Sequence, residues 1–373
     1  MNTYRLDELA TMRYGKLPPK EKLDSGCPIF TGYKVSGYCR EPLYKEPMLL
    51  VVARGVGGTG DVKISPPNAW ITNLSIVLDI DESLTDKYFL CQYLGQQGLK
   101  DKLNTGSAQA QITVNALSSY LVEIPDLHTQ RRIASILSTY DDLIENNTRR
   151  IEILEEMARR LYEEWFVCFR FPGHEDVSFK ESELGRIPEG WGVGTLQDVI
   201  VLQRGFDLPV KKRTPGGVPI ISATGGSGTH NESKVNGPGV VTGRSGSIGK
   251  VMYTHGDYWP LNTTLWGKSF PLGSTLFAFY TLSSIDLKGF NVGAAVPTLN
   301  RNDIHGLSVI VPSKDAISLF DQSVEPMHKL MDTLKKKNTN LRAQRDLLLP
   351  KLVSGEIDVS DIPMPDDKEV EAA

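Results

Sequence analysis

The stretch TGRSGSIGKV, residues 242–251, has residue types and spacing that point to one chemistry. A Gly-rich loop between apolar segments, ending in Gly-Lys, is how many folds cradle the phosphates of a nucleotide. That loop needs glycine at the place Arg244 occupies and Ser or Thr, to ligate Mg²⁺, where Val251 stands. Nucleotide hydrolysis is therefore excluded at two positions. SPPNAW at 65–70 carries the Pro-Pro of an amino-methylation motif in which a following aromatic ring stacks on an extruded base, but Asn68 stands where the ring is needed. No GxSxG elbow and no HExxH occurs. Six histidines (His128, His174, His230, His255, His305, His328) are scattered and suggest no metal. Cys27, Cys39, Cys91 and Cys168 form no CxxC pair and read as reduced thiols. What remains for these residues is binding.

The elements that must position a binding surface are written twice. LDELATMRYG (6–15) is similar to LQDVIVLQRG (196–205), CPIFTG (27–32) to VPIISA (218–223), and WITN (70–73) to WPLN (259–262). ARGVGGTGDV (53–62) is similar to TGRSGSIGKV with one gap, which sets Arg54 as the counterpart of Arg244 and Asp61 where Lys250 stands. Residues 106–125 align with 293–312 without a gap at an offset of 187. Each copy has short apolar runs punctuated by Gly, Pro and Asn, which read as strands joined by tight loops. A small helical segment follows near 86–103 or 273–288, then a Pro-bounded strand and a long helix.

The long helices give the clearest signal. Ile133, Leu137, Tyr140, Ile144, Asn147, Ile151, Leu154, Ala158, Leu161 and Trp165 recur in steps of four and three, and nine of the ten are apolar. The same offset of 187 gives Phe320, Val324, Met327, Met331, Leu334, Asn338, Leu341, Arg345, Leu348 and Leu352. A sustained alternation of four and three is a coiled-coil seam, and two seams of matching length bury most simply against each other. Between the copies, 168–193 is rich in Pro, Gly and charge and reads as a linker.

The formal net charge is −4, but from Glu356 onward there are seven acidic residues and one lysine, which leaves residues 1–355 at about +2. Basic clusters lie at KLPPKEK (16–22) and PVKKR (209–213). Binding to nucleic acid would therefore rest on local clustering rather than on bulk charge. No apolar run has the length of a membrane span, and the N-terminus lacks an apolar signal core, so the expected location is cytoplasmic, with no membrane partner.

Taken together, the chain resembles a type I restriction-modification specificity (S) subunit over nearly its whole length. The likeness is carried by LGRIPEGW (184–191), LYEEWF (161–166), GFDLP (205–209), GRSGSIGKV (243–251), PLNTTLW (260–266), VGAAVPTLNRNDI (292–304) and LLLPKLVSGEI (347–357). The resemblance implies an α/β fold in which two pseudo-repeated target-recognition domains are joined by a long antiparallel two-helix coiled coil. It implies that each domain reads half of a split double-stranded DNA target. The implied partners are two methyltransferase subunits and, in the full complex, two restriction/translocase subunits. S-adenosylmethionine, ATP and Mg²⁺ would belong to those partners, with no cofactor bound by this non-catalytic chain. The acidic tail after Ile357 is outside the family pattern.

On this reading the first recognition domain is 1–125, the first spacer helix 126–167, the linker 168–193, the second domain 194–312, the second helix 313–355 and the acidic tail 356–373. A helix of about 35 residues spans ~50 Å, long enough to set apart half-sites that recur every ~34–36 Å on one face of DNA. The expected DNA contacts are Lys16, Lys20, Lys22, Arg54, Arg204, Lys211, Lys212, Arg213, Arg244, Lys250 and Arg301. Glycine in the repeated loops would let backbone approach a phosphate that Arg244 and Lys250 neutralise. Antiparallel packing about the seam centres places Ile133 opposite Leu352, Trp165 opposite Phe320, and Asn147 opposite Asn338 as a register pair. Partner subunits are expected on the outward helix faces, at exposed positions such as Arg149 and Lys335. The alternatives are a nucleotide-dependent transferase with unrecognised motifs and a tandem binding module for a non-nucleic ligand. Salt-dependent duplex binding without turnover separates the DNA reading from both.

Overall fold

A computed structural model describes residues 1–55, 58–106, 109–290, 297–360 and 362. The first residues of VGAAVPTLNRNDI and most of the acidic tail lie outside the described residues. The chain forms two compact units, residues 1–146 with 338–373, and residues 147–337.

The first unit runs β1 (Asn2–Arg5), α1 (Leu6–Leu9), β2 (Ala10–Tyr14), β3 (Cys27–Phe30), β4 (Val35–Cys39), β5 (Leu49–Val52), β6 (Val62–Ile64), β7 (Trp70–Ile71) and β8 (Ser75–Ile80), then α2 (Lys87–Gly95), α3 (Leu99–Leu103), α4 (Val114–Ser118) and β9 (Leu121–Ile124). Its sheets have the orders β1-β9, β2-β8-β5-β6 and β4-β3-β7. The 36-residue α5 (Leu127–Tyr162) contributes to both units.

The second unit opens, after a π-helical turn at Glu163–Val167, with the hairpin β10 (Phe179–Ser182) and β11 (Gly185–Pro188). It continues through β12 (Gly192–Thr195), α6 (Leu196–Val199), β13 (Val201–Arg204), β14 (Val218–Ser222), β15 (Gly225–His230), β16 (Gly239–Gly243), β17 (Val251–Thr254), β18 (Trp259–Pro260) and β19 (Thr264–Ser269). Then come α7 (Thr275–Ser284), α8 (Arg301–His305), β20 (Ser308–Val311) and the 40-residue α9 (Lys314–Val353), which also contributes to both units. The sheets β12-β20, β13-β19-β16-β17 and β15-β14-β18 repeat the first unit strand for strand. Among the described residues, β10–β11 is the hairpin without a counterpart.

Local chemistry explains why the repeat folds twice. α1 and α6 each start where a carboxylate three residues into the helix accepts the cap backbone N–H, Glu8 from Arg5 (2.6 Å) and Asp198 from Thr195 (2.8 Å). β5 and β16 are buried along their whole length, as expected of apolar strands flanked by neighbours on both sides. The linker is an integral part of the second unit: Trp191, 3% exposed, stacks on Phe171 with centroids 5.0 Å apart.

Every seam position of α5 and α9 is buried or half-buried. In the first unit, Ile133 and Leu137 share a core with Leu349, Leu352 and Val353, and the Asn338 amide donates to the Ile144 carbonyl at 3.2 Å. Arg345, the charged member of its seam, is neutralised by Asp141, whose other oxygen accepts from the Tyr88 hydroxyl of α2. Burial and that hydrogen bond push the Tyr88 phenol well up from its ordinary value. In the second unit, Ile151 packs with Met331 and Leu334, and Trp165 meets Phe320 at 6.0 Å. Within each unit the number falls along α9 as it rises along α5. Lys335 is exposed, as expected, and also pairs with Glu155 at 2.9 Å, because a lysine flanking the seam reaches the facing helix. Arg149 is exposed.

Past α9 the chain turns at Gly355, whose φ of +76° suits glycine, and returns so that Val359 is 2% exposed in the first core. The Arg132 guanidinium accepts none of this passively: it donates to the carbonyls of Val359 (3.1 Å) and Ser360 (3.0 Å).

Phe320 is fully buried against Tyr162, Trp165, Phe166 and Tyr280. Phe320→Ala is expected to lower stability by about 3–5 kcal/mol in chemical denaturation, whereas Leu319→Ala, 44% exposed before the change, should stay within about 0.5 kcal/mol. Equal losses from both would show that the seam is not the buried face.

Candidate functional site

Segments far apart in sequence meet in each unit. In the second unit the chain leaves β13 through Gly205, where a Cβ would lie 2.2 Å from the Leu261 carbonyl oxygen; Gly15 has the same relation to Thr72, at 2.4 Å. Glycine stands at both places because another backbone passes there, and Phe206 and Lys16 go on to form parallel bridges to Leu261 and Thr72. Thr263 is the hub. Its carbonyl accepts from Arg244 N (2.8 Å) and Ser245 N (3.1 Å), and its hydroxyl from Ala223 N (3.4 Å). Leu299 N donates to the Arg244 carbonyl at 2.8 Å, and Lys250 Nζ to the Thr224 carbonyl at 3.1 Å. The segments that carry Arg204, Arg244, Lys250 and Arg301 are thus knitted to one centre.

The first unit builds the same knot. Ala53 N and Arg54 N donate to the Leu74 carbonyl (2.8 and 3.3 Å), Ile112 N to the Ala53 carbonyl (2.8 Å), and Ser75 Oγ to the Thr31 carbonyl (3.2 Å). Matching these bonds sets Ala53 in the place of Arg244 and Arg54 in the place of Ser245. The expected equivalence of Arg54 and Arg244 is therefore off by one residue: the strand pairing runs unbroken into Arg54 and Ser245, and the length difference falls later in the loop, before Asp61 and Lys250. Arg54 is half-buried, with Nη2 donating to the Asn73 carbonyl at 3.4 Å.

The remaining basic residues divide by what they hold. Lys16, Lys20, Lys211 and Lys212 are exposed, the last two on the single turn Val210–Lys212. Lys22 donates to the Ser36 carbonyl (3.0 Å) and Arg213 to the Ser227 carbonyl (2.8 Å), so both brace loops of their own unit. Arg204 and Arg301 are exposed and Arg244 is half-buried. Asn262, which is not among the expected contacts, donates through Nδ2 to Asp207 at 3.0 Å beside the hub; the recurrence of Asn in WITN and WPLN is its signal in the sequence.

The phosphate-loop look-alike has a structural reason for its glycines. A Cβ on Gly243 would sit 1.8 Å from the Ser247 carbonyl oxygen, and Gly246 N already donates to the Pro297 carbonyl at 3.0 Å. The amides of 244–246 are used inside the unit. Lys250 is followed by strand β17, where a nucleotide loop would start a helix. GVGGTG at 55–60 has dinucleotide-loop spacing, but its chain also goes on into a strand, β6. Asn68 of SPPNAW is a left-handed turn residue with φ of 51°.

The sequence model of the type I restriction modification DNA specificity domain matches residues 1–156 and 188–345, one stretch for each copy of the repeat. The chain belongs to this family. The MjaIX specificity subunit of a type I restriction enzyme from Methanocaldococcus jannaschii is 27% identical over 292 residues, 71% of this chain and 66% of that protein. The HindI specificity subunit from Haemophilus influenzae is 22% identical over 333 residues, 66% of this chain and 71% of that one. The chain thus spans just under two thirds of the first relative. A crystal structure of the S subunit of a type I restriction-modification system from M. genitalium shares the fold, with a TM-score of 0.67 at 19% identity over 94% of this chain and 96% of that chain. Among the described residues no helix is long and apolar enough to cross a membrane.

This member of the family also carries a cleft of about 1050 Å³ in its second unit, lined by β17, α7 and α9. Here two of the six histidines that look scattered in sequence come together: His255 and His328 lie 6.0 Å apart, and His328 Nε2 shares a 2.8 Å hydrogen bond with the Tyr280 hydroxyl. Among the described residues no group of three or more His, Cys, Asp or Glu is arranged to hold a metal. Burial above all, then His255 and Lys335, push His328 down to about 4, and burial lowers His255 as well. The unfolded chain therefore takes up a proton that the folded one refuses. The stability this gives is fully present above the ordinary histidine value of ~6.5 and is lost as pH falls toward about 4. His328→Gln is expected to remove about 3 kcal/mol of that pH dependence, read as denaturation midpoints between pH 7.5 and 4.5. A variant as pH-sensitive as the parent would assign the effect to other groups.

Proposed function

We propose that this chain is the DNA-reading, non-catalytic subunit of a type I restriction-modification complex, each unit binding one half of a bipartite duplex target. The observation that carries the reading is the knot built twice from separate segments and tipped with basic side chains, in a member of the DNA specificity domain family. Exposed lysines and arginines on such loops can neutralise phosphates. The differing polar side chains of the two copies would read different bases.

The finer architecture belongs to the same proposal. The buried seams, the falling numbers along α9 within each unit, and the ion pairs Asp141–Arg345 and Glu155–Lys335 support an antiparallel two-helix coiled coil that fixes the half-site spacing. Asn338, 3% exposed, and Asn147 would be its register residues. Methyltransferase and restriction/translocase subunits would supply S-adenosylmethionine, ATP and Mg²⁺ chemistry. Co-purification with a cognate methyltransferase subunit, followed by mapping of methylated adenines across a genome, tests the reading. A two-part motif with an unread gap is expected; absence of any motif, or methyl transfer by this chain alone, would overturn it.

Arg244→Ala is expected to weaken duplex binding for all sequences and to flatten the dependence of log affinity on log salt by about one unit. Arg54→Ala should instead lower thermal stability, since its guanidinium braces the Asn73 carbonyl. The reverse pattern would exchange their roles. Replacing both Asn147 and Asn338 with leucine should raise stability and blur the gap length in the mapped motif; replacing one should cost more than replacing both. An unchanged gap in the double variant would show that the amides do not set the register.

A further inference from the structure

Resting on the DNA-reading proposal, we infer that Asn262, oriented by Asp207, is a base-reading residue of the second unit and that it selects adenine from the major groove. Asn262 Nδ2 donates to Asp207 Oδ1 at 3.0 Å. A carboxylate only accepts, so the amide must turn its NH₂ toward Asp207, and the ambiguity between the two ends of an asparagine is removed by chemistry. One N–H is used. The second N–H and the carbonyl oxygen have no partner among the described residues. With Asp207 taking the N–H that points away from Oδ1, the remaining N–H and Oδ1 would present a donor beside an acceptor, a match to the N7 acceptor and N6 amino donor that adenine shows in the major groove.

The position supports the role. Asn262 directly precedes Thr263, the hub to which Arg244, Ser245 and Ala223 are bonded, so the amide is carried on a braced segment. Asp207 is exposed and Asn262 half-buried, and both follow the close approach of Gly205 to the Leu261 carbonyl. Phe206, beside Asp207, packs on Trp266 with centroids 5.9 Å apart, and the Trp266 indole donates to the Arg204 carbonyl at 3.3 Å. In the first unit the bridges that match Phe206 with Lys16 put Leu17 in the place of Asp207, and Leu17 is 72% exposed. Asn73 therefore lacks the orienting carboxylate, and the two units differ in chemistry at a corresponding point, as readers of unlike half-sites must.

The test is selection from a pool of randomised duplexes by the purified full-length chain, with the salt dependence of binding measured on the selected sequence. The parent chain should select a bipartite motif. Asn262→Ala should lose discrimination at one adenine position by roughly 5- to 150-fold, leaving the other positions and the salt slope unchanged. Asp207→Ala should weaken discrimination at that same position without removing it, because the amide is then free to turn. An unaltered motif in Asn262→Ala, or a salt slope flattened by about one unit, would overturn the inference and leave Asn262 with a structural or phosphate-binding role. A parent chain that binds duplex without salt dependence, or selects no motif, would instead overturn the DNA-reading proposal itself.

Discussion

Ile133 and Leu137 present an apolar stripe on α5 that water disfavours, and the cover for that stripe is carried by Leu349, Leu352 and Val353 at the far end of α9. Because the cover is so late in the sequence, the first unit must combine the start of the chain with its end. The second unit is then left to the middle, where Trp165, Phe166 and Phe320 close the same kind of stripe with aromatic rings. Polar members of the seams are accommodated, at a cost, by specific partners. Arg345 has Asp141 and, through it, Tyr88; Asn338 has the Ile144 carbonyl. An unpaired charge at Arg345 would cost far more than an aliphatic side chain there, so these partners also penalise other alignments.

On this frame each unit hangs the same set of small sheets, and the loops between them are held by backbone more than by side chains. Glycines that look like a phosphate-binding signature serve close approaches inside the unit: Gly15 and Gly205 against a passing strand, Gly243 against its own loop. Spending the amides in this way leaves exposed side chains as the variable part of the surface. A scaffold held by main-chain bonds tolerates exchange of such side chains, and the same topology can present Lys16 and Leu17 in one unit and Phe206 and Asp207 in the other.

The repeat, the two long helices and their seams were legible because they depend on periodicity, which a sequence displays directly. Every one of the twenty seam positions is buried or half-buried, including Asn147, Asn338 and Arg345. The failures of the P-loop and Pro-Pro motifs at Arg244, Val251 and Asn68 were legible for a similar reason, since each motif needs a particular residue at a particular place. The equivalence of Arg54 with Arg244 was not legible. One gap in a Gly-rich loop can be placed at several positions at no cost in similarity, and the hydrogen bonds of Leu74 and Thr263 decide it.

What the sequence determined by itself was the order of elements, their duplication and the face each helix must bury. Covalent order and side-chain spacing are local quantities, and burial follows from them. What the tertiary structure decided was company. It brought His328 to His255, Asn262 to Asp207, and the returning end of the chain to Arg132. None of these pairs has a spacing that a sequence could reveal, because each joins separate segments whose meeting is set by the packing of whole elements, and a hydrogen bond a few ångströms long is sensitive to where the backbone finally lies.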